Sequence, residues 1–361
     1  MRRVLCGAPS FVRLGLVLLA FGAPAFGAQI VVPVGVLGLF HPRELVLEPV
    51  QGQVLSVAGN DDSKSQRIVL NGEDGYRSVL FRADGDRVTA GGIAAKSWTA
   101  AARGGEAGGF QLIVPGKLRR TYEGTLELTA SQGVLIAVVV MDREIAVASI
   151  VGAEMDERAP SEALKAQAVV TRSFLAAGKR HLNFDFCDTT HCQFLKSPPE
   201  GTSRVRSAVE ATSGMVIAWR GKPLAAMYSS RCGGMTRSLR DAGLDSAGDP
   251  DDAYPYYAVP CRWCHDHPLR WQHQLSAEQK PPRSGDERER VESARQWGWS
   301  ALPGNDFTTT KNESGWKIEG HNLGHGIGMC QRGAIGMAKS GADFQAILSH
   351  YYPNTTTVVL H

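Results

Sequence analysis

The chain has 361 residues, enough to bury a sizeable core in one large domain or two smaller ones. Hydrophobic residues make up 43% and charged residues 21%, which excludes a wholly disordered chain, and 40 glycines favour turns and short elements over long helices. The formal net charge is +3, but Arg2, Arg3 and Arg13 lie in the first 28 residues; the remainder holds 36 basic and 36 acidic residues, a balance that gives no footprint for nucleic acid or an anionic membrane.

In chain order, residues 1–28 read as a secretory signal peptide. Arg2 and Arg3 form a positive start, Leu14 to Phe21 is apolar, and Ala25-Phe26-Gly27 supplies small residues at the cleavage spacing. A retained N-terminal anchor is the alternative. Cys6 precedes the apolar stretch, which argues against a lipoprotein site. The expected location is extracytoplasmic, with no stable membrane span once the signal is cleaved.

From Gln29 to about Ile150 the pattern is of short β-rich runs punctuated by Gly, Asp and Asn: Ile30 to Val36, Glu44 to Leu47, Arg67 to Leu70, Phe110 to Val114, and Thr125 to Thr129. Val134 to Met141 is a continuous β-branched run, as in a strand covered on both faces. Near residue 150 the pattern changes. Pro160 opens and Gly178 stops a helix of four or five turns rich in Ala163, Ala166 and Ala168. A second helix is expected from Ser203 to Thr212. Met215 to Trp219 and Leu224 to Ser229 read as strands joined by the turn Arg220-Gly221-Lys222. Polar stretches at 241–252 and 280–290 read as surface loops, the second as an insertion or the start of a surface helix. Helices are expected from Arg332 to Lys339 and from Phe344 to Tyr351. The fold class is therefore α+β, with a β-rich N-terminal region at 29–120 and a mixed α/β region at 121–361.

Four groups of residues suggest chemistry. Glu154 follows the apolar run Ile145 to Ala153; a carboxyl held against apolar surface loses solvation and keeps its proton to higher pH, as a general acid must. The bland alternative is an early-turn carboxylate interacting with a helix dipole. Lys165 and Arg172 lie seven apart on the long helix and project from one face, to hold a polar substrate or to form a solvated stripe in which Glu162 pairs with Lys165. Gly324 to Gln331 sets His325 among glycines on a tight loop, suited to hydrogen bonding sugar hydroxyls, or is a glycine turn with an incidental histidine. Finally, Cys187 and Cys192 enclose Asp188 to His191, and Cys261-Arg262-Trp263-Cys264 is a CxxC, with His181, His265 and His267 close by. Zinc ligation and disulfides, which an oxidising compartment would favour, both remain open.

Taken together, five blocks in order resemble the SpoIID/LytB family: Val151 to Met155; Glu162 to Ala168 with Arg172; Asp185-Phe186-Cys187 through His191-Cys192-Gln193; Tyr228-Ser229-Ser230 before Cys232 to Thr236; and Gly324 to Ala334 with His350 to Pro353. Tyr122 to Leu128 is similar to the family's strand ahead of the catalytic block, so the domain is expected to span 121–361. The resemblance implies a lytic transglycosylase that cuts the β-1,4 bond between N-acetylmuramic acid and N-acetylglucosamine in denuded peptidoglycan strands and leaves a 1,6-anhydro ring. It implies Glu154 as the catalytic residue, Lys165 and Arg172 as functional cations, and zinc held by His181, Cys187 and Cys192. His325 and Gln331 are then expected to line the groove. Cys330 stands where a serine is common in such sequences, and Cys232, Cys261 and Cys264 extend the metal site or bridge. The alternatives are a peptidoglycan-binding enhancer of a cell-wall amidase, without activity of its own, and a zinc-dependent hydrolase.

Overall fold

The computed structural model describes residues 30–61, 66–71, 75–103, 108–244 and 254–360. The signal peptide expected at 1–28 and most of the 241–252 loop lie outside them. Among the described residues no helix is long and apolar enough to cross a membrane.

The α+β class is observed. A seven-stranded sheet runs in the order Phe186–Cys187, Val31–Val36, Val134–Asp142, Thr125–Ser131, Ser97–Ala102, Leu55–Asn60, Gln66–Leu70. Its register places Val34 opposite Val139, Val139 opposite Leu126, Leu126 opposite Ala100 and Ala100 opposite Val57. Directly paired residues share a face, so this row gives one buried stripe across five strands. A six-stranded sheet, in the order Leu118–Glu123, Gly109–Val114, Glu44–Pro49, Val79–Asp84, Arg87–Ala90, Ile93–Ala95, packs against it. Phe81 from the second sheet meets Trp98 from the first edge to face, and the Trp98 indole donates to the Val88 carbonyl. The boundary expected at 120 falls within the strand Leu118–Glu123, and the first sheet draws strands from both sides of it.

Seven helices follow among the described residues: α1 (Arg143–Glu154), α2 (Ser161–Ala176), α3 (Arg204–Ala211), α4 (Arg262–Asp266), α5 (Glu287–Trp297), α6 (Gln331–Lys339) and α7 (Phe344–Tyr351). The apolar run Ile145 to Ala153 is helical rather than extended, because Asp142 caps it by accepting from the Glu144 and Ile145 amides at 2.8 and 3.1 Å. The long helix is the spine of the molecule. Ala163, Leu164 and Ala168 face the core under the large sheet, while Ala166, Val169 and Val170 face a second core built with α7 and the C-terminal segments. A helix enclosed on both sides needs small and apolar residues around its circumference, hence its alanines.

Smaller sheets complete the fold. Met215–Trp219 pairs with Lys222–Pro223 across a two-residue Arg220-Gly221 turn, both residues at positive φ, and on its other edge with Thr356–Val359. The expected strand from Leu224 to Ser229 is shorter: only Tyr228–Ser229 is a strand, and it leaves the hairpin to pair in parallel with Met329–Cys330. The 280–290 stretch does lead into a helix, α5, which packs on the sheet formed by Trp271–Leu275, Gly315–Gly320 and Phe307–Asn312.

Candidate functional site

Glu154 is the last residue of α1, not an early-turn carboxylate. The end of a helix carries partial negative charge, so this position disfavours the anion. Burial pushes the carboxyl above its usual range; the Phe194 amide, the Tyr228 hydroxyl and the charge of Lys196 offset only part of this. Phe194 N–H donates to Glu154 Oε1 at 3.0 Å. The buried Tyr228 hydroxyl is turned toward the carboxyl without closing a well-formed hydrogen bond to any described residue. Its own burial keeps that phenol protonated. Tyr228 and Lys196 were not singled out as site residues from sequence; Tyr228 sits inside a recognised block, but nothing local says that its strand will cross to α1.

The other expected site residues are placed differently. Gln331 opens α6, and its amide donates to the Glu154 carbonyl oxygen at 3.2 Å and to Gln167 Oε1 at 3.3 Å, so it braces the main chain of the acid from behind. Arg172 has no exposed surface: it grips Glu144 with N–O distances of 2.5–3.1 Å and donates to the carbonyls of Met215 and Val209. A cation so enclosed does not touch a polymer, and the expectation of direct substrate contact gives way to a brace joining α1, α2 and α3. Lys165 is partly buried, pairs with Glu162 at 2.7 Å and lies over the Phe344 ring. His325 accepts from the Ile327 amide at Nδ1, and burial lowers its pKa, so the ring is neutral and its other nitrogen reaches the main chain of Tyr228. Gly324, Gly326 and Gly328 around it all have positive φ. A Cβ at Gly328 would stand 2.0 Å from the Met227 carbonyl oxygen. This loop shapes the strand that carries Tyr228.

The cysteines form two groups, each able to hold a metal ion by its geometry. His181, Cys187, His191 and Cys192 bring four donor atoms within 4.8 Å of one another. His181 Nε2 lies 3.2 Å from Cys192 Sγ, and His191 Nδ1 lies 3.7 Å from Cys192 Sγ and 3.8 Å from Cys187 Sγ. A hydrogen bond from Cys192 draws the Cys187 thiol down to about 3 and leaves the proton on Cys192. His191 was not among the donors expected from sequence, although its place beside Cys192 was the available signal. This loop leads within two residues to Phe194, so the metal-type cluster and the Glu154 contact share one segment. Cys232, Cys261, Cys264 and Cys330 form the second group, all buried. His265 and His267 stay outside it, against Asp266 and the Trp263 carbonyl.

A cavity of about 960 Å³ lies beyond the first cluster, lined by His191 and by Lys179, Arg180, Trp219, Lys222 and Tyr254. Glu154 is not among its walls, so this cavity adjoins the site rather than being its centre.

Comparisons with known proteins place the chain in a family. The profile of the SpoIID family, Stage II sporulation protein, matches residues 131–219, which contain Glu154, α2 and the first cysteine cluster. An uncharacterized protein of Brachyspira hyodysenteriae is 30% identical over 267 residues, covering 64% of this chain and 70% of that protein. The amidase enhancer of Bacillus subtilis is 47% identical over 49 residues, covering 14% of this chain and 7% of that protein.

Proposed function

The chain belongs to the SpoIID/LytB family, and from that premise we propose that it is an exported peptidoglycan lytic transglycosylase. A role at the cell wall follows from the family; the reaction is read from the site. The observation that carries it is the Glu154 carboxyl, desolvated at the end of α1 and held by one amide, with no carboxylate among the groups that act on it most.

Hydrolysis of a glycoside by the usual route takes two carboxyl groups, one as acid and the other as base or nucleophile. A transglycosylase that uses the muramic acid 6-hydroxyl as its nucleophile needs one. Glu154, which burial makes hold its proton to higher pH than a free carboxyl, gives that proton to the glycosidic oxygen as the bond to the anomeric carbon breaks. The resulting carboxylate then takes the proton of the 6-hydroxyl as that oxygen attacks the same carbon and closes the anhydro ring. The Phe194 amide fixes one carboxyl oxygen, leaving the other for the substrate. Exposed Lys196 is the cation placed to meet the lactyl carboxylate, and the Tyr228 hydroxyl has an unused donor beside the acid.

Zinc fits the donors of His181, Cys187, His191 and Cys192, two sulfurs and two nitrogens in one small volume. Four protein ligands complete a tetrahedron, so when bound the ion would supply a structural cross-link for the loop that leads to Phe194. The rival reading, an amidase enhancer, takes its support from the similarity to the Bacillus subtilis protein of that name. Digestion of purified glycan, with and without stem peptides, by the wild type and by Glu154→Gln decides between them. Anhydromuramic ends, seen by mass spectrometry only with wild type on denuded strands, are the expected result. Reducing ends would identify a hydrolase, and binding without cleavage would move the assignment to the enhancer.

A further inference from the structure

The proposed reaction makes no use of Cys232, Cys261, Cys264 and Cys330. They come from three separate segments. Cys232 follows the strand Tyr228–Ser229, Cys261 and Cys264 occupy the cap and body of α4, and Cys330 caps α6. None is more than 2% exposed, and their sulfurs all lie within 4.8 Å of one another.

Three features separate a metal site from other arrangements. Cys232 is within hydrogen-bonding reach of each of the other three sulfurs, so the group has one common centre rather than two separate pairs. A tetrahedral ion with metal–sulfur bonds of about 2.3 Å spaces its sulfurs by roughly 3.8 Å, and Cys264 Sγ and Cys330 Sγ stand 3.5 Å apart. Second, donors point at the sulfurs as they do around ligating thiolates: the Gly333 amide at 3.4 Å from Cys330 Sγ and the Tyr351 hydroxyl at 3.6 Å from Cys261 Sγ. Third, the backbone makes room for the group. A Cβ at Gly333 would lie 2.6 Å from Cys261 Sγ and 1.9 Å from the Tyr351 hydroxyl.

We propose that Cys232, Cys261, Cys264 and Cys330 form a closed tetrathiolate site for one zinc ion, distinct from the His181–Cys187–His191–Cys192 group. Four soft sulfur donors in a tetrahedron select zinc among common divalent ions, and burial leaves no position for water or substrate. The ion is a clamp. Cys330 immediately precedes Gln331, which braces the Glu154 main chain, and Cys232 lies four residues after Tyr228, so one tetrahedron fixes both parallel strands behind the acid. The site does not depend on which reaction Glu154 performs.

The test starts from the full chain carrying His181→Ala and Cys192→Ser, which removes two donors of the first group. One equivalent of zinc should remain. Cobalt exchanged into it should give the intense sulfur-to-metal charge-transfer and the low-energy d–d bands of a tetrathiolate. Adding Cys264→Ser and Cys330→Ser should abolish both. Alkylation of denatured, unreduced wild type provides a check that needs no variant to fold: all four cysteines should react once zinc is chelated. Zinc absent from the first variant, or mass spectrometry placing these cysteines in disulfides, would overturn the proposal.

Discussion

At the scale of the residue, Glu154 and Arg172 show how environment decides what a charged side chain can do. Glu154 is raised above its usual value of 4.5 by burial, so the folded protein holds that proton more tightly than the unfolded chain. The sign follows by linkage: ionising the carboxyl costs stability, and the cost grows as pH rises from 4.5 through the folded value. Glu154→Gln keeps an acceptor for the Phe194 amide and removes that cost. It should melt higher than wild type at neutral pH, with the gain vanishing below pH 4.5. Thermal melts across pH check this, and a variant less stable at every pH would show that the carboxyl is not the strained group. Arg172 predicts the opposite. Arg172→Met removes the closest partner of Glu144 and leaves it only the longer Arg143 contact at 3.5 Å; it should cost about 3 kcal/mol, toward the lower end for buried pairs because Glu144 keeps that contact and some water. Adding Glu144→Leu should recover most of the loss, measured as a double-mutant cycle by chemical denaturation. Loss of activity in Arg172→Met without loss of stability would restore a direct role in the reaction.

At the scale of the element, the long helix and the last two helices could be read from sequence almost to the residue. Their signals are local: Pro160 ahead of the first turn, alanines at buried positions, and Asp343 capping α7. The helix α1 was harder to read, because IAVASIVGA is apolar without a clear period and suits a buried strand as well as a buried helix. What settles it is Asp142 at the cap together with the helices that cover it. The glycine loop before α6 is a case where local reading found the segment but not its task. Its glycines take positive φ where Met329–Cys330 lies along Tyr228–Ser229, a task in the fold that the local pattern does not announce. Gly328→Ala forces a side chain to φ 68° and into the Met227 carbonyl. It should cost about 1–3 kcal/mol and lower cleavage more than glycan binding. Cleavage and sedimentation-binding assays side by side give the check; equal losses in both would mean a general collapse of the fold.

At the scale of the whole molecule, the N-terminal strands are part of the same body as the site. One hydrophobic core runs from Val32 to Val209, joining the large sheet to α1, α2 and α3. A fragment of residues 121–361 would retain three of the seven strands of that sheet, Thr125–Ser131, Val134–Asp142 and Phe186–Cys187. It should lack a cooperative melting transition by circular dichroism; a sharp transition would instead make residue 120 a true domain boundary. The sequence by itself determined the α+β class, the place of the long helix and of the last two helices, and the family, because these rest on short-range patterns of hydrophobicity, capping and motif order. Only the tertiary structure decided that Arg172 is enclosed, that Gln331 and Tyr228 converge on Glu154, that His191 joins its neighbouring cysteines, and that Cys330 closes a group with Cys232, Cys261 and Cys264. Those facts depend on which distant segments pack together. A residue's exposure and partners are set by packing between elements far apart in the chain, and no local pattern encodes them.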